Sequence, residues 1–504
     1  MKKIMNTKNI FLLLFLNLGT SLLFAQGEND NWYFGYKAAV NFSNSTPAAI
    51  TNSVMETLEA CGSVSDSNGD LLFYMSPQNI WNRDNQVMTN GNLVSYMDTA
   101  QQLAIVQNPA NDNQYYVFTT GVNGIVTSTY RINYSIVDMS LGNIGTNGNT
   151  LGEVLYRFKQ IPVLDDAGNL FTSEAITIVP NTDGVSYWVL IPNDKRLYAY
   201  RLDANGFDNG NPVISNLNLP ISGNHYAIKA SPKVYYSHYT HYICISPWAD
   251  TYAGWNLPDD YFTNQVYSFN AATGEIVPDF YLEANALRTY SAEFNRDASV
   301  LFLGAHDLYA VDLNNSFGTS VHSMMVYDDP QSYSSGSGMA IQRNAKGDIY
   351  FSKNFQLYLA QILKPDVFGP GIGYDLNAIY LGGTGSTGSG LPQLIPSLDL
   401  EGHRTMLKQS NPDQKRMVLM LDQEERKQRL QMKNIEIYPN PVSDLLTIKT
   451  DLKIENVSVS DISGKNSNVT LRENKVDVRN LPAGSYIITI ETKEGKTTKK
   501  FIKK

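Results

Sequence analysis

The chain has 504 residues, a net charge of −9 and a pI near 5.3. That balance excludes a general binder of nucleic acid or anionic membrane, because phosphate recognition needs a basic face. Only 17% of the residues are charged, while Gly (36) and Tyr (31) abound, which suits short strands and tight turns rather than a helix bundle.

Lys2, Lys3 and Lys8 precede the apolar run IFLLLFLNLGTSLLFA at 10–25. A basic start, a short apolar stretch and small residues before a cut predict a signal peptide over 1–25, cleaved after Ala25 to leave Gln26 first. A membrane anchor is the competing reading, but the run is short and interrupted by Asn17. No other window is apolar enough to span a bilayer, so no transmembrane segment is expected in the mature form.

From about residue 31 to 400 one unit recurs: a short strand, a polar turn, an aromatic-rich second strand and an alternating third. CGSVSDSNGD (61–70), QLAIVQNPANDNQ (102–114), AITIVPNTDG (175–184), AIKASPKVYYSHYTH (227–241), SAEFNRDAS (291–299) and GMAIQRNAKGD (338–348) carry the first strand and turn. The second strands are LLFYMS, YYVFTT, SYWVLIP, YICISP, VLFLG and IYFSK. A further first strand is expected at GLPQLIPS (390–397), while NWYFGYKAAVNFS (31–43) reads as second and third strands lacking a first. The two ends complement each other. A β-propeller over 26–400 follows, closed by pairing of the chain ends so that no sheet edge is left free. Seven blades fit the spacing; six or eight remain open because fourth strands are poorly marked.

Trp32, Tyr74, Trp81, Tyr116, Tyr187, Trp188, Tyr242 and Phe302 are expected mostly in the core, with a carbohydrate platform as the alternative. Trp248 and Trp255 stand in the insert SPWADTYAGWNLPDDYF (246–262) and are candidates for ligand or partner contact. Cys61 and Cys244 fall on different blades, which favours two buried thiols over a disulfide. Glu, Gln, Lys, Arg, Met and Leu dominate 401–433, where Asn411 and Pro412 read as the start of a helical linker.

Leu446 and Ile448, Val457 and Val459, then Tyr486, Ile488 and Ile490 alternate with polar residues between turn signals, which predicts an Ig-like β-sandwich over 434–504. The fold class is therefore all-β throughout, save the linker.

Two resemblances follow. WYFG, the D-x-x-G-x-LLFY pattern and IWNRDNQVM resemble propeller proteins of Bacteroidetes found ahead of surface-sorting domains. YPNPVSDLLTI, VSVSDISGK, LPAGSYIITI and the lysine-bearing last strand resemble the type A C-terminal sorting domain of the type IX secretion system. That resemblance implies export across the outer membrane and two partners, the secretion translocon and a sortase. It implies that the signal is read at Tyr438, Pro439, Asn440, Pro441 and Gly464. It adds Leu481, Pro482, Gly484 and Tyr486, then the terminal Lys499, Lys500, Lys503 and Lys504.

No G-x-S-x-G elbow, H-E-x-x-H or P-loop is present, and no cofactor motif. DSNGD (66–70) offers oxygen ligands at alternate spacing but lacks the remaining ligands of a calcium loop, so a hairpin turn is the better reading. His238, His241 and Cys244 do not share one strand face, which argues against a metal cluster. Asp165-Asp166 and Asp259-Asp260 are adjacent pairs that would point to opposite faces of a strand. Two functions remain: a non-catalytic propeller binding an extracellular protein or glycan, or a propeller enzyme acting on polysaccharide or peptide at the central channel.

Overall fold

A computed structural model describes residues 27–93, 102–123, 129–217, 225–232, 240–247, 264–284, 289–304, 307–316, 320–329, 338–396, 435–450, 452–461, 466–467, 469–492 and 495–504. The described residues hold strands and two single-turn 3₁₀ segments, and no α-helix. The signal peptide, the linker, Trp248, Trp255 and Gly464 lie outside them.

The chain opens with a three-stranded sheet of Asn31–Phe34, Ala38–Asn41 and Ala48–Ala49. Two meanders follow, one beginning at Gly62–Ser65 and the other at Leu103–Asn108. They fuse into a nine-stranded sheet because Glu153 pairs with Thr89 on the outer strand of the first. A five-stranded sheet starts at Thr177–Pro180, and three four-stranded meanders start at His225–Ala230, Ser291–Phe294 and Ala340–Arg343. Each of these leading strands is the inner strand of its sheet, and successive inner strands are neighbours in space.

Short polar side chains fold the hairpins. Asp66 Oδ1 accepts the backbone N–H of Asn68 and Asp70 at 2.8 and 3.0 Å. Asn344 does the same for Lys346 and Asp348, both at 2.9 Å, and Asp165 for Ala167 and Asn169 at 2.9 and 2.7 Å. These are Asx turns, which replace a backbone partner with a side-chain oxygen. DSNGD is thus a hairpin whose first carboxylate is already engaged by its own backbone.

Apolar residues fill the spaces between consecutive sheets. Phe118 and Ile136 meet Ile178 and Tyr200; Trp188 and Leu190 meet Ile228 and Phe269. Val266 meets Phe294 and Leu301; Phe302 and Leu308 meet Ile341 and Phe351. The cluster of Trp32, Phe34, Tyr74, Trp81, Tyr350 and Leu359 joins the last sheet to the first two. Burying one aromatic side chain contributes about 1.5–3 kcal/mol, so this packing dominates the assembly. Of the aromatics expected inside, Tyr242 is half-buried and the others are buried. Cys61 and Cys244 are buried in separate clusters with no disulfide between them.

The chain ends meet, but not as two full strands. Tyr36 and Ser386 exchange backbone hydrogen bonds of 2.8 and 2.9 Å. Beyond them, residues 391–396 form no strand, contrary to the expectation over 390–397. Pro392 and Pro396 explain this: neither has an N–H to give a ladder. The segment is held by its side chains instead, with Leu391 and Leu394 packed on the Trp32 cluster.

The C-terminal unit has two four-stranded sheets. One orders Glu436–Tyr438, Leu445–Lys449, Lys475–Asp477 and Thr470–Arg472; the other Asn466–Ser467, Ile454–Asp461, Gly484–Thr492 and Gly495–Lys503. Leu446, Ile448 and Val476 face Val459, Ile488, Ile490 and Phe501 across the core. The alternation anticipated this layering.

Candidate functional site

Two places gather polar groups: the ring axis and the edge of the last strand.

At the axis, single side chains tie the inner strands together. Gln102 Oε1 accepts the N–H of Ile176 at 3.1 Å and of Ile228 at 3.0 Å. Gln393 Nε2 donates to the carbonyls of Leu103 and Ile176 at 3.0 and 2.8 Å, and its Oε1 accepts from Thr177 Oγ1 at 3.0 Å. Lys229 Nζ lies 2.7 Å from Glu293 Oε2 and donates to Gln342 Oε1 at 2.7 Å. Glu293 also accepts the N–H of Phe294 (3.0 Å) and of Arg343 (2.9 Å). Burial pulls the Lys229 ammonium below its ordinary pKa, and Glu293 opposes that shift. Tyr290 donates to Glu59 Oε1 at 3.0 Å. Gln102, Lys229, Tyr290, Gln342 and Gln393 line a cavity of about 40 Å³, room for a few waters and nothing larger.

On the face where the inner-strand turns gather, the axis widens into a cleft of about 340 Å³. Its buried wall is Leu72, Tyr115, Met139, Tyr187 and Ile395. Its more exposed wall carries Glu28, Asp66 and Asp112 with Asn29, Gln107 and Asn113. Asn29 fixes the base of the cleft: its Oδ1 accepts the Ile395 N–H at 2.7 Å and its Nδ2 donates to the Ile395 carbonyl at 3.1 Å. Burial pushes the Tyr115 hydroxyl up to about 12, with Glu28, Asp66 and Asp112 adding their negative field. Sequence reasoning missed this cleft, because its walls come from turns scattered across the chain. The one local signal was the Asx-turn acid at Asp66.

No group of three or more His, Cys, Asp or Glu that could hold a metal occurs among the described residues. His241 is buried, with Nδ1 2.8 Å from the Ser231 carbonyl. No helix among the described residues is long and apolar enough to cross a membrane.

At the other place, register brings three separate sequence stretches together. Gly484 pairs with Lys503 and Tyr486 with Phe501. Asn440 Nδ2 donates to the Lys500 carbonyl at 3.1 Å, and its Oδ1 accepts the Ile502 N–H at 2.8 Å. Val442 continues this contact: its N–H donates to the Ile502 carbonyl at 2.8 Å, and the Lys504 N–H donates to its carbonyl at 2.9 Å. Residues 440–442 therefore clip the outer edge of the final strand over 500–504. Tyr486 is buried, stacked on Phe501, and donates to the Pro482 carbonyl at 3.0 Å. Leu481 is in the core, and Tyr438, Pro439, Asn440, Pro441, Pro482 and Gly484 are exposed. Lys500 and Lys504 are exposed and Lys499 half-buried, but Lys503 is buried, so the terminal lysines are not one solvated row.

Comparison with known proteins adds one firm assignment. Residues 436–504 match the family model of the secretion system C-terminal sorting domain. No curated protein matches the chain. Among solved structures it is similar to Sqt1 from Chaetomium thermophilum (12% identity, TM-score 0.30, 53% of this chain and 60% of that one). It is similar also to a glucose dehydrogenase (12%, 0.32, 59% and 92%) and to the dihydro-heme d1 dehydrogenase NirN in complex with DHE (11%, 0.36, 68% and 72%). The chain thus spans 60% of the length of Sqt1, and likenesses this distant carry nothing about activity. Residues 436–504 are a C-terminal sorting domain of the type IX secretion system, and the all-β, propeller-like chain that bears them is exported across the outer membrane to the cell surface or the extracellular space.

Proposed function

We propose that residues 26–400 form a seven-bladed passenger that acts outside the cell as a non-catalytic binding module, with recognition centred on the axial cleft. Residues 1–25 serve as the signal peptide, 401–433 as a helical spacer and 434–504 as the sorting domain. The blade count is supported by six inner strands plus the N-terminal sheet, which packs between the last meander and the first. One observation carries the binding reading: the axis, where a propeller enzyme would place its reactive groups, is filled by the Gln393 segment. Its charged groups are hydrogen-bonded to neighbouring inner strands, and the accessible space is the cleft beside them.

The translocon reads the surface of Tyr438, Pro439, Asn440, Pro441, Pro482, Gly484, Lys499, Lys500 and Lys504, together with Gly464; the buried Leu481, Tyr486 and Lys503 act by holding its shape, and a sortase then removes the domain. Trp248 and Trp255 offer a second contact for the extracellular protein or glycan.

The test uses the whole chain against panels of labelled oligosaccharides and peptides. The reading expects one panel member to bind unchanged and to be lost in Ala345→Trp, which fills the cleft from an exposed rim position. Mass-spectrometric detection of a cleaved product would overturn it in favour of an enzyme.

A further inference from the structure

The cleft has an uneven chemistry. Leu72, Met139 and Ile395 offer an apolar floor, whereas Glu28, Asp66 and Asp112 put three carboxylates on the other wall. No Lys, Arg or His lines it among the described residues. The nearest lysine in sequence, Lys346, is turned away, donating to the carbonyls of Ser43 and Asn44 at 3.1 and 2.6 Å. A concave site lined with one sign of charge over low-dielectric walls concentrates the opposite ion.

Tyr115 supplies an independent observation. Its side chain is 5% exposed and lines the cleft, and its ring is held edge-on by Phe73 at 5.6 Å. Its hydroxyl has no hydrogen-bond partner among the described residues. The residue is nearly covered, yet its hydroxyl is not among the sealed-off polar atoms, so the oxygen keeps access from the cleft and is open to a ligand there. A phenol oxygen accepts as readily as it donates, so it complements a cationic N–H donor beside the carboxylates.

We propose that the cleft binds an organic cation with an apolar body, an alkylammonium such as the side chain of a lysine-bearing peptide. Its methylenes lie on Leu72, Met139 and Ile395, and its ammonium reaches the Asp112 side and the Tyr115 hydroxyl. Aliphatic stem and charged head then match floor and wall. A volume of about 340 Å³ admits one such group with its flanking backbone. This rests on the binding reading above and names the ligand class for the same site.

The experiment titrates the whole chain with hexylammonium, hexanol, hexanoate and the tripeptide Gly-Lys-Gly, with glucosamine and glucose as the sugar pair, by calorimetry and saturation-transfer NMR at low and high salt. Hexylammonium and Gly-Lys-Gly should bind, more weakly at high salt, and Ala345→Trp should abolish both. Asp112→Asn should weaken them about twofold to fivefold, and Tyr115→Phe roughly twofold to tenfold. Both variants are checked for unchanged thermal unfolding. Equal binding of hexanol and hexylammonium, or indifference to Asp112→Asn, overturns the cation assignment while leaving a cleft that binds. Glucose binding as well as Gly-Lys-Gly overturns it in favour of a neutral sugar site. If no probe binds, this inference falls, and the binding reading still stands or falls on its own panels.

Discussion

The ring and the sorting domain solve cohesion in opposite ways. In the sorting domain, apolar residues of two facing sheets meet in one dry core, and the charged pairs, Arg479–Asp477 and Lys449–Glu436, are exposed. In the ring, the apolar packing lies between sheets, and the centre is polar: Gln102, Gln393 and Glu293 hold backbone groups of other sheets, and Lys229 bridges the Glu293 and Gln342 side chains. The difference follows from geometry. Inner strands around an axis turn some backbone N–H and C=O groups toward no neighbouring strand, and buried groups of that kind must find partners. Amide side chains, each with donors and acceptors, satisfy them. The ring should therefore be fragile at a few polar positions, the sorting domain at none.

The largest effect is expected from breaking the buried ion pair. Glu293→Gln leaves the Lys229 ammonium buried without its counter-charge, which costs about 3–5 kcal/mol. In urea unfolding of the whole chain, the ring transition should move to lower denaturant while the sorting-domain transition stays in place. A shift of both together would mean that the two units do not unfold independently.

Closure of the ring is the next point of attack. A Cβ on Gly390 would stand 1.6 Å from the Glu59 carbonyl oxygen, a backbone atom that cannot swing aside, so Gly390→Ala must displace the closing segment at roughly 1–3 kcal/mol or more. Gln393→Ala removes the partner of the Leu103 and Ile176 carbonyls and of the Thr177 hydroxyl, at about 1–3 kcal/mol. Limited proteolysis should find the 384–396 stretch cut faster in both variants. Unchanged cutting would show that the apolar cluster around Trp32 closes the ring unaided.

Asn440→Ala should act more weakly on the other unit. Its two hydrogen bonds to residues 500 and 502 are solvent-exposed, so the loss is about 1 kcal/mol. Hydrogen exchange at Ile502 should rise several-fold, since that N–H loses its acceptor. Secretion measured in the same variant separates two roles for the clip. Export unchanged at equal stability makes it a brace; export lost makes it part of what the translocon reads.

The same contrast governs what could be read from the residues in order. The sorting domain was legible because its period-two alternation and its turns are local, as Ile488 and Ile490 on one strand illustrate. The leading strands of the ring were legible for the same reason, and four of them end in an Asx-turn residue, Asp66, Asn108, Asn181 or Asn344. Ring closure was legible only in outline. The segment 390–397 carries the right apolar residues for an inner strand, but its two prolines remove the donors, and the work passes to Gln393, whose partners are Leu103 and Ile176. Nothing local in Gln393 announces such distant partners. The fusion of two meanders through Glu153 and Thr89 was hidden likewise, since one parallel pairing leaves no periodic trace. The cleft was the least legible part, because its walls are single residues from turns far apart in sequence.

The smallest effect expected distinguishes the two kinds of charge. Asp477 is held by Arg479, whose Nη2 and Nε lie 2.6 and 3.0 Å from its oxygens and whose backbone N–H donates at 3.1 Å. The Arg479 side chain, then its backbone, pull the carboxyl down to about 2. A folded-state value below the unfolded one means that the unfolded chain binds protons first as pH falls. The contribution is fully present above about pH 4 and is lost as pH drops through about 2. Asp477→Asn should therefore lower the sorting-domain midpoint slightly at pH 6 and by much less near pH 2, and 1 M salt should shrink the gap, since the pair is exposed. A salt-insensitive gap persisting at the lowest pH would mean that Asp477 acts through its turn geometry and not its charge. The buried Lys229–Glu293 pair, shielded from solvent ions, should by contrast respond little to the same salt.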